Sequence, residues 1–558
     1  MQNILKAVDL KCETSILSRE AVFLNNKLSL KIESKNYMDC FDVLIYSIAN
    51  WLGKACEMQY TEAWGFQYDV NEEKLISERI GRGRGDEYKY LERYHGIIIS
   101  SFKETSYKEL FKKELLKESM PVLIQFDCFW ASWMKSTYQN KHIFTHYILA
   151  TGYDDESEKI FILDNQEANE GLWCSIEELE KGIQKVFCIT NSNDYIKRVD
   201  DREILNIMLD RVKQSTLNTK EDLSLEKKLE LFIDDMENKF DIAIEVQPYL
   251  SNLVDCTLLN VIKDVAKGRK KAALALEHVR ECSGNEGIAV IINALLELSE
   301  TWNQVFGIFV KYCYMNDNDR IKKKVVSKLK EIKDKEMEVV QLLEEFCGEK
   351  NLNDYNIKPY GAIGEIVKNV DEYLFKFICI DTLFNNMGCF NKFTDETRAE
   401  LSNPKRYLWI EDMSVVGFDI KNILIDKSDN ILCEGQLINV NEKISENSYI
   451  MLLTCSEFTN CEIEIILLFE DNITEKIKVG VTSWLYPEPE YNDYIAIEGT
   501  PVQRRTEEFA NGFSYSFPGH IFGSWYKITN MGKILKHIVL PDCENVHIFA
   551  ITIAEKKL

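Results

Sequence analysis

A chain of 558 residues predicts about three domains rather than one compact core. Its 45% hydrophobic and 11% aromatic content is ample for folded interiors, which excludes wholesale disorder. A formal net charge of -24 argues against broad nucleic-acid binding, which neutralises phosphates with Lys and Arg. The apolar runs fall short of the roughly 20 residues that a membrane-spanning helix needs, so no membrane partner is expected.

The 16 cysteines are scattered without a Cys-x-x-Cys pair. Lys6 and Asp9 interrupt the amino terminus before a signal-like apolar core forms, so free thiols in a reducing cytoplasm are the simpler expectation. Metal chemistry has poor support. Neither His-Glu-x-x-His nor a zinc-ribbon spacing occurs, and Cys455 with Cys461 lacks a second pair, so no metal and no cofactor are expected.

In chain order, the first chemistry-bearing feature is Tyr37-Met38-Asp39-Cys40-Phe41. Phe41, Leu44, Ile45, Ile48, Ala49 and Leu52 recur at helical spacing and end on Gly53, which suits a left-handed C-cap. Cys40 therefore falls on the first helical turn, where unpaired backbone N–H groups and the positive dipole end favour a thiolate. The segment Gly81-Arg82-Gly83-Arg84-Gly85 follows no convincing strand and precedes Asp86 and Glu87, so it predicts a loop rather than a phosphate cradle.

Pro121–Asp127 contains a strand pattern, and an aromatic loop with Trp130, Trp133 and Tyr138 leads to a second strand that opens at His146. Gly152-Tyr153-Asp154-Asp155 supplies a turn before a third strand, Lys159 to Leu163, which ends at Asp164. Such a hairpin sets His146 beside Asp164, so the carboxylate can orient the ring and stabilise its imidazolium. A lone helical Cys is usually a small buried hydrophobe, and a lone strand His is more often structural. Here the helix start, hairpin and terminal Asp agree on Cys40, His146 and Asp164 as a catalytic set. His142 is the local competitor, but it precedes the apolar strand. Trp130, Trp133 and Tyr138 are candidates for a substrate pocket, in competition with an ordinary packed lid.

After this 1–198 domain the pattern turns helical over 199–370. Leu205, Met208, Leu209 and Val212 share a face, as do Leu229, Leu231, Phe232 and Met236. Further amphipathic runs cover Ala272–Val279, Ile288–Leu298 and Val325–Leu343, predicting a bundle whose last helix exits at Gly348-Glu349-Lys350-Asn351. Over 371–558 short β-rich runs, Ser448–Thr454, Glu462–Phe469, Lys476–Thr482 and Val546–Ile553, predict an all-β sandwich or jelly roll. Phe384–Gly388 and His547–Ile553 resemble segments of accessory β-sandwich domains attached to some carbohydrate-active enzymes.

Pro121–Asp127, the aromatic loop, His146–Asp155 and the early Cys40 helix together resemble the butirosin biosynthesis protein H family. The likeness covers about the first 190 residues and continues more faintly through Leu298-Ser299-Glu300-Thr301-Trp302. It implies an α+β papain-like or bacteriocin-processing (C39-like) cysteine-enzyme domain ahead of the bundle and the β domain. The implied activity is acyl transfer in secondary-metabolite biosynthesis, of the nonribosomal-peptide kind. An acyl group would pass from the phosphopantetheine thioester of an acyl or peptidyl carrier protein, through Cys40, to a small-molecule amine.

By the same resemblance His146 serves first as base and then as acid. Peptidase relatives carry a Gln about six residues before the Cys for the oxyanion hole. Ser34 stands there in this chain, leaving Asn36 or Gln125, with the Cys40 N–H, as substitutes. A carrier protein, usually acidic, would need a basic patch, for which Lys108, Lys112, Lys113 and Lys117 compete with a plain solvated helix face. The alternatives are a cysteine peptidase or amidase with the same triad, and a non-catalytic scaffold that keeps only the fold.

Overall fold

The computed structural model describes residues 27–35, 37–82, 87–102, 106–135, 137–192, 196–213, 223–250, 253–313, 318–348, 364–367, 369–390, 401–402, 406–410, 415–421, 423, 427–457, 459–503, 513–514 and 518–557. The chain divides into two compact units. The first comprises Met1–Glu62, Arg84–Ile204 and Leu274–Gly284, and the second Ala63–Gly83, Leu205–Ala273 and Asn285–Leu558.

The first unit is built on a sheet whose described strands run in the order Ile97–Phe102, Ile183–Asn191, Val122–Phe126, His146–Asp154, Lys159–Asp164 and Ala168–Ser175. Every neighbouring pair is antiparallel. Successive side chains on a strand point to opposite faces, and both faces of this sheet are covered. Leu123, Leu149, Leu163 and Phe187 pack with Phe41, Leu44, Ile45 and Ile48 of the helix Cys40–Leu52. On the other face Val122, Ile124, Ile148, Ala150 and Ile162 pack with Leu110, Phe111 and Leu115. Burial on both sides explains why these strands read as near-continuous apolar runs. The Cys40–Leu52 helix starts and stops where expected: Asp39 and Asp42 form a reciprocal capping box, and Gly53 closes it at φ 68°.

Lys108, Lys112, Lys113 and Lys117 do not share one regular helical face. Tyr107–Phe111 is α-helical, and Lys112–Lys117 widens to a π-helical turn. Three of the four are taken up by acids of their own unit: Lys108 by Glu158, Lys112 by Asp155 at 2.7 Å and Lys113 by Glu114 at 3.1 Å. Each of these three cations thus has an acidic partner close by. Gly83-Arg84-Gly85 and Asn351 lie outside the described residues.

The second unit holds the helices Leu225–Asn238, Ala289–Cys313 and Asn318–Cys347, the first part of Thr257–Ser283, and the short strands Gln67–Tyr68 and Ile80–Gly81. The expected helical and β segments thus fall in one unit, and Ala63–Gly83 joins them from within the expected amino-terminal domain. The physical reason lies in its side chains. Trp64 donates its indole N–H to Glu336 at 2.8 Å, Phe66 stacks on Trp302, and the Tyr68 hydroxyl donates to Asp235 at 2.7 Å. Glu336 also accepts from the guanidinium of Arg269 and the indole of Trp302, and both Arg269 and Glu336 are fully buried. The guanidinium further donates to the carbonyls of Gly65 and Val265.

The β-rich part forms, among the described residues, a nine-stranded and a four-stranded sheet. Ile450, Leu452 and Ile551 of the larger sheet share one core with Ile465, Leu467 and Ile538 of the smaller. The runs seen in the sequence lie inside the longer strands Ser448–Ser456, Cys461–Phe469, Thr474–Val481 and Asp542–Lys556.

A buried ion pair that loses one partner strands the other charge, at a cost of about 3–5 kcal/mol. Arg269→Met is expected to destabilise the chain by about that amount in urea denaturation. A loss near zero would show that the indole donors of Trp64 and Trp302 hold the carboxylate unaided.

Candidate functional site

Antiparallel pairing sets the geometry of the site. His146 is the first residue of its strand and Asp164 the last of the next, so both lie at the same end of the sheet. Leu149 pairs with Leu163, which makes His146 and Asp164 diagonal neighbours. The His146 Nε2 lies 3.0 Å from the Asp164 Oδ2, with the two residues 3% and 0% exposed. With Nε2 so engaged, Nδ1 is the ring nitrogen left for the sulfur, and Cys40 is near enough to the imidazole to act on its acidity. The Cys40 Sγ also approaches the Thr145 carbonyl oxygen at 3.8 Å, and Cys40 remains half-exposed. Sulfur, imidazole and carboxylate, residues far apart in sequence, therefore converge.

The electrostatics follow from burial and pairing. Burial acts first on His146 and would lower its pKa, but the hydrogen-bonded Asp164 carboxylate and the neighbouring Cys40 outweigh it. The ring is pushed up to about 9. Burial likewise raises Asp164, and His146, Trp133 and the Gln166 N–H more than offset it, holding the carboxyl below its ordinary value. Cys128, buried beside Asp164, Asp127 and Cys40, is pushed up to about 12 chiefly by burial, which keeps it a neutral thiol.

The aromatic loop packs its tryptophans against the sheet. The Trp133 indole N–H donates to Asp164 Oδ2 at 2.9 Å, and its ring packs 5.6 Å from Phe126. Trp133 therefore orients the carboxylate. Trp130 is partly buried against the same core and makes an edge contact with Phe129, whereas Tyr138 is 39% exposed. The sequence held one sign of the Trp133 role, an indole donor in a loop between two site strands, but only folding shows which acceptor it meets.

Gln125 donates its amide to the Phe144 carbonyl at 2.8 Å, so one of its two amide hydrogens serves the loop ahead of His146. Asn36 lies outside the described residues. The N–H groups of Cys40 and Phe41, on the first helical turn, have no acceptor within the helix and are the backbone donors beside the sulfur. His142 is tied to Asp127 at 2.7 Å and stacked on Phe129, so it braces the loop rather than the sulfur. Among the described residues no group of three or more His, Cys, Asp or Glu side chains could hold a metal ion. Nor is any described helix long and apolar enough to cross a membrane.

A thiol beside an imidazole that a carboxylate orients can carry nucleophilic substitution at an acyl carbon. No family model matches the sequence, and no curated protein does. Among solved structures, a family GH115 4-O-methyl-alpha-glucuronidase with specificity for decorated arabinogalactans aligns over 64% of this chain at 8% identity. The alignment spans 38% of that enzyme's length at a TM-score of 0.13, so neither fold nor activity is taken from it.

Because the folded-state pKa of His146 lies above its ordinary 6.5, its stabilising contribution is full below about 6.5 and is lost as pH rises through about 9. Asp164, held low, loses its contribution as pH falls through its depressed value. In Asp164→Asn the His146 transition is expected to move down from about 9, read by NMR titration of the imidazole. An unmoved transition would place the cause elsewhere. Trp133→Phe removes a hydrogen bond to a charged acceptor and is expected to cost about 1.5–3 kcal/mol in urea denaturation. A cost near zero would mean that water replaces the indole.

Proposed function

We propose that this chain is a cysteine-dependent acyltransferase of the cytoplasm that forms amides through an acyl-enzyme at Cys40. The single observation that carries the reading is the convergence of Cys40, His146 and Asp164 at one end of a sheet. The papain-like character of the domain, and a carrier-protein phosphopantetheine thioester as donor, rest on the resemblance of Pro121–Asp127, His146–Asp155 and the Cys40 helix.

In this mechanism the Cys40 sulfur attacks the thioester carbonyl, and the oxyanion takes the N–H donors of the first helical turn. The carbon–sulfur bond to the carrier arm breaks, and the His146 imidazolium gives its proton to the departing thiolate. A ring pKa raised to about 9 suits this donor, being close to the ordinary range of the thiol it protonates. The now neutral ring takes a proton from the incoming amine as nitrogen attacks the acyl-enzyme. Collapse expels the Cys40 thiolate and leaves the imidazolium and the amide. Asp164 holds the ring in place throughout, and Trp133 holds Asp164.

Mixing the full chain with an acylated carrier protein is expected to give an intact-mass adduct of one acyl group, absent in Cys40→Ala. Product formation on adding an amine is expected to fall by about 10⁴-fold or more in that variant. Cleavage of free peptides without any reaction toward the thioester would overturn the acyltransferase reading in favour of a peptidase. Absence of both reactions, with Cys40 no more reactive to iodoacetamide than other thiols, would leave a scaffold.

A further inference from the structure

A cavity of about 480 Å3 opens in the second unit, lined by the helices Ala289–Cys313 and Asn318–Cys347 and by the start of the strand Asp542–Lys556. Its walls carry five cationic side chains, Lys311, Arg320, Lys323, Lys324 and Lys328, against two carboxylates, Glu331 and Asp542. This local excess runs against a chain whose formal net charge is -24. Arg320, Lys324 and Lys328 follow one another four residues apart, so they form one stripe of their helix, with Lys323 and the Ser327 hydroxyl beside it. Lys311 comes from the other helix and is buried, whereas Lys323 is exposed.

The surrounding acids leave these cations incompletely matched. Arg320 meets Glu434 at 3.2 Å and Lys324 meets Asp542 at 3.4 Å, pairs open to solvent, where such contacts contribute little. Glu331 is shared between Lys328 at 2.7 Å and Lys335 at 3.0 Å. Glu457 lies 3.9 Å from Lys311 and is also held by His547 at 3.1 Å. Lys323 meets no acid among the described residues. Like charges four residues apart on a helix repel, and Arg320 stands in the first turn of a 30-residue helix, the end whose dipole favours anions. Repulsion of both kinds is relieved by an anion placed in the cavity.

We propose that this cavity is a binding site for a small organic molecule that carries a diphosphate. A phosphoryl group concentrates up to about two negative charges and three acceptor oxygens on one atom, which suits cations that line one cavity from two helices. The guanidinium fork of Arg320 matches such a group, and the lysines act on it as point charges. A single carboxylate would leave most of the five cations facing one another. The volume falls within the range of small-molecule sites, and Ile308 supplies an apolar stretch of wall for the organic body. The site is separate from Cys40 and does not rest on the acyl-transfer reading.

The test is calorimetric titration of the full chain with pyrophosphate and with ADP, without divalent cations, and with sulfate and citrate as controls at matched ionic strength. Pyrophosphate is expected to bind one-to-one, at least about tenfold tighter than either control, to weaken as salt is raised and to increase the Tm. ADP is expected to displace it. Lys323→Glu, at an exposed position, is expected to weaken pyrophosphate at least about tenfold, and Lys311→Met to weaken it as well. Melting curves establish that both variants fold, and if the buried Lys311→Met does not, Lys323→Glu decides. Pyrophosphate held no tighter than sulfate or citrate, or held equally by Lys323→Glu, would overturn the proposal. Failure of ADP to compete would overturn it as a site for an organic diphosphate.

Discussion

A hydrogen bond between an imidazole and a carboxylate, both almost wholly removed from water, is the constraint around which the first unit is arranged. Burial alone would drive both His146 and Asp164 toward their neutral forms. Neither is driven there, because each is the other's counter-charge and each has further partners: Cys40 for the ring, Trp133 and the Gln166 N–H for the carboxylate. A half-satisfied version of this network would be costly. The aromatic loop is therefore fixed against the sheet by its donor to Asp164 as well as by its apolar contacts with Phe126.

The same logic recurs in the second unit with different chemistry. Arg269 and Glu336 are fully buried, and the guanidinium and carboxylate are satisfied by two indoles and two backbone carbonyls. Those partners come from Ala63–Gly83 and from the long helices, which is why a segment early in the chain belongs with residues much later in it. These polar groups withdrawn from solvent thus come in sets whose members satisfy one another.

Much of the site could be read in the sequence, because the signals were local. The Cys40 helix carried its own start and stop in Asp39, Asp42 and Gly53, and the backbone rules that use them do not depend on distant residues. The strand opening at His146 and the one ending at Asp164 were joined by a short turn, so their pairing followed from chain proximity. Trp133 and Gln125 were harder. Each was singled out, but a side-chain donor in a loop or on a strand carries no mark of which acceptor it will meet. The ion pairs of Lys108 and Lys112 were not legible for a related reason. Their neutralising partners Glu158 and Asp155 lie across a strand turn that spacing within the segment does not reveal.

By itself, the sequence determined the elements: helical and β periodicity, the caps, the hairpin, and the order Cys40, His146, Asp164. These depend on interactions within a few residues, where covalent geometry and solvent decide the outcome. Tertiary structure alone decided the pairing of Trp133 with Asp164 and the attachment of Ala63–Gly83 to the second unit through Glu336. Those contacts are made by side chains from distant segments, and their partners are selected by which groups the closing core leaves without water.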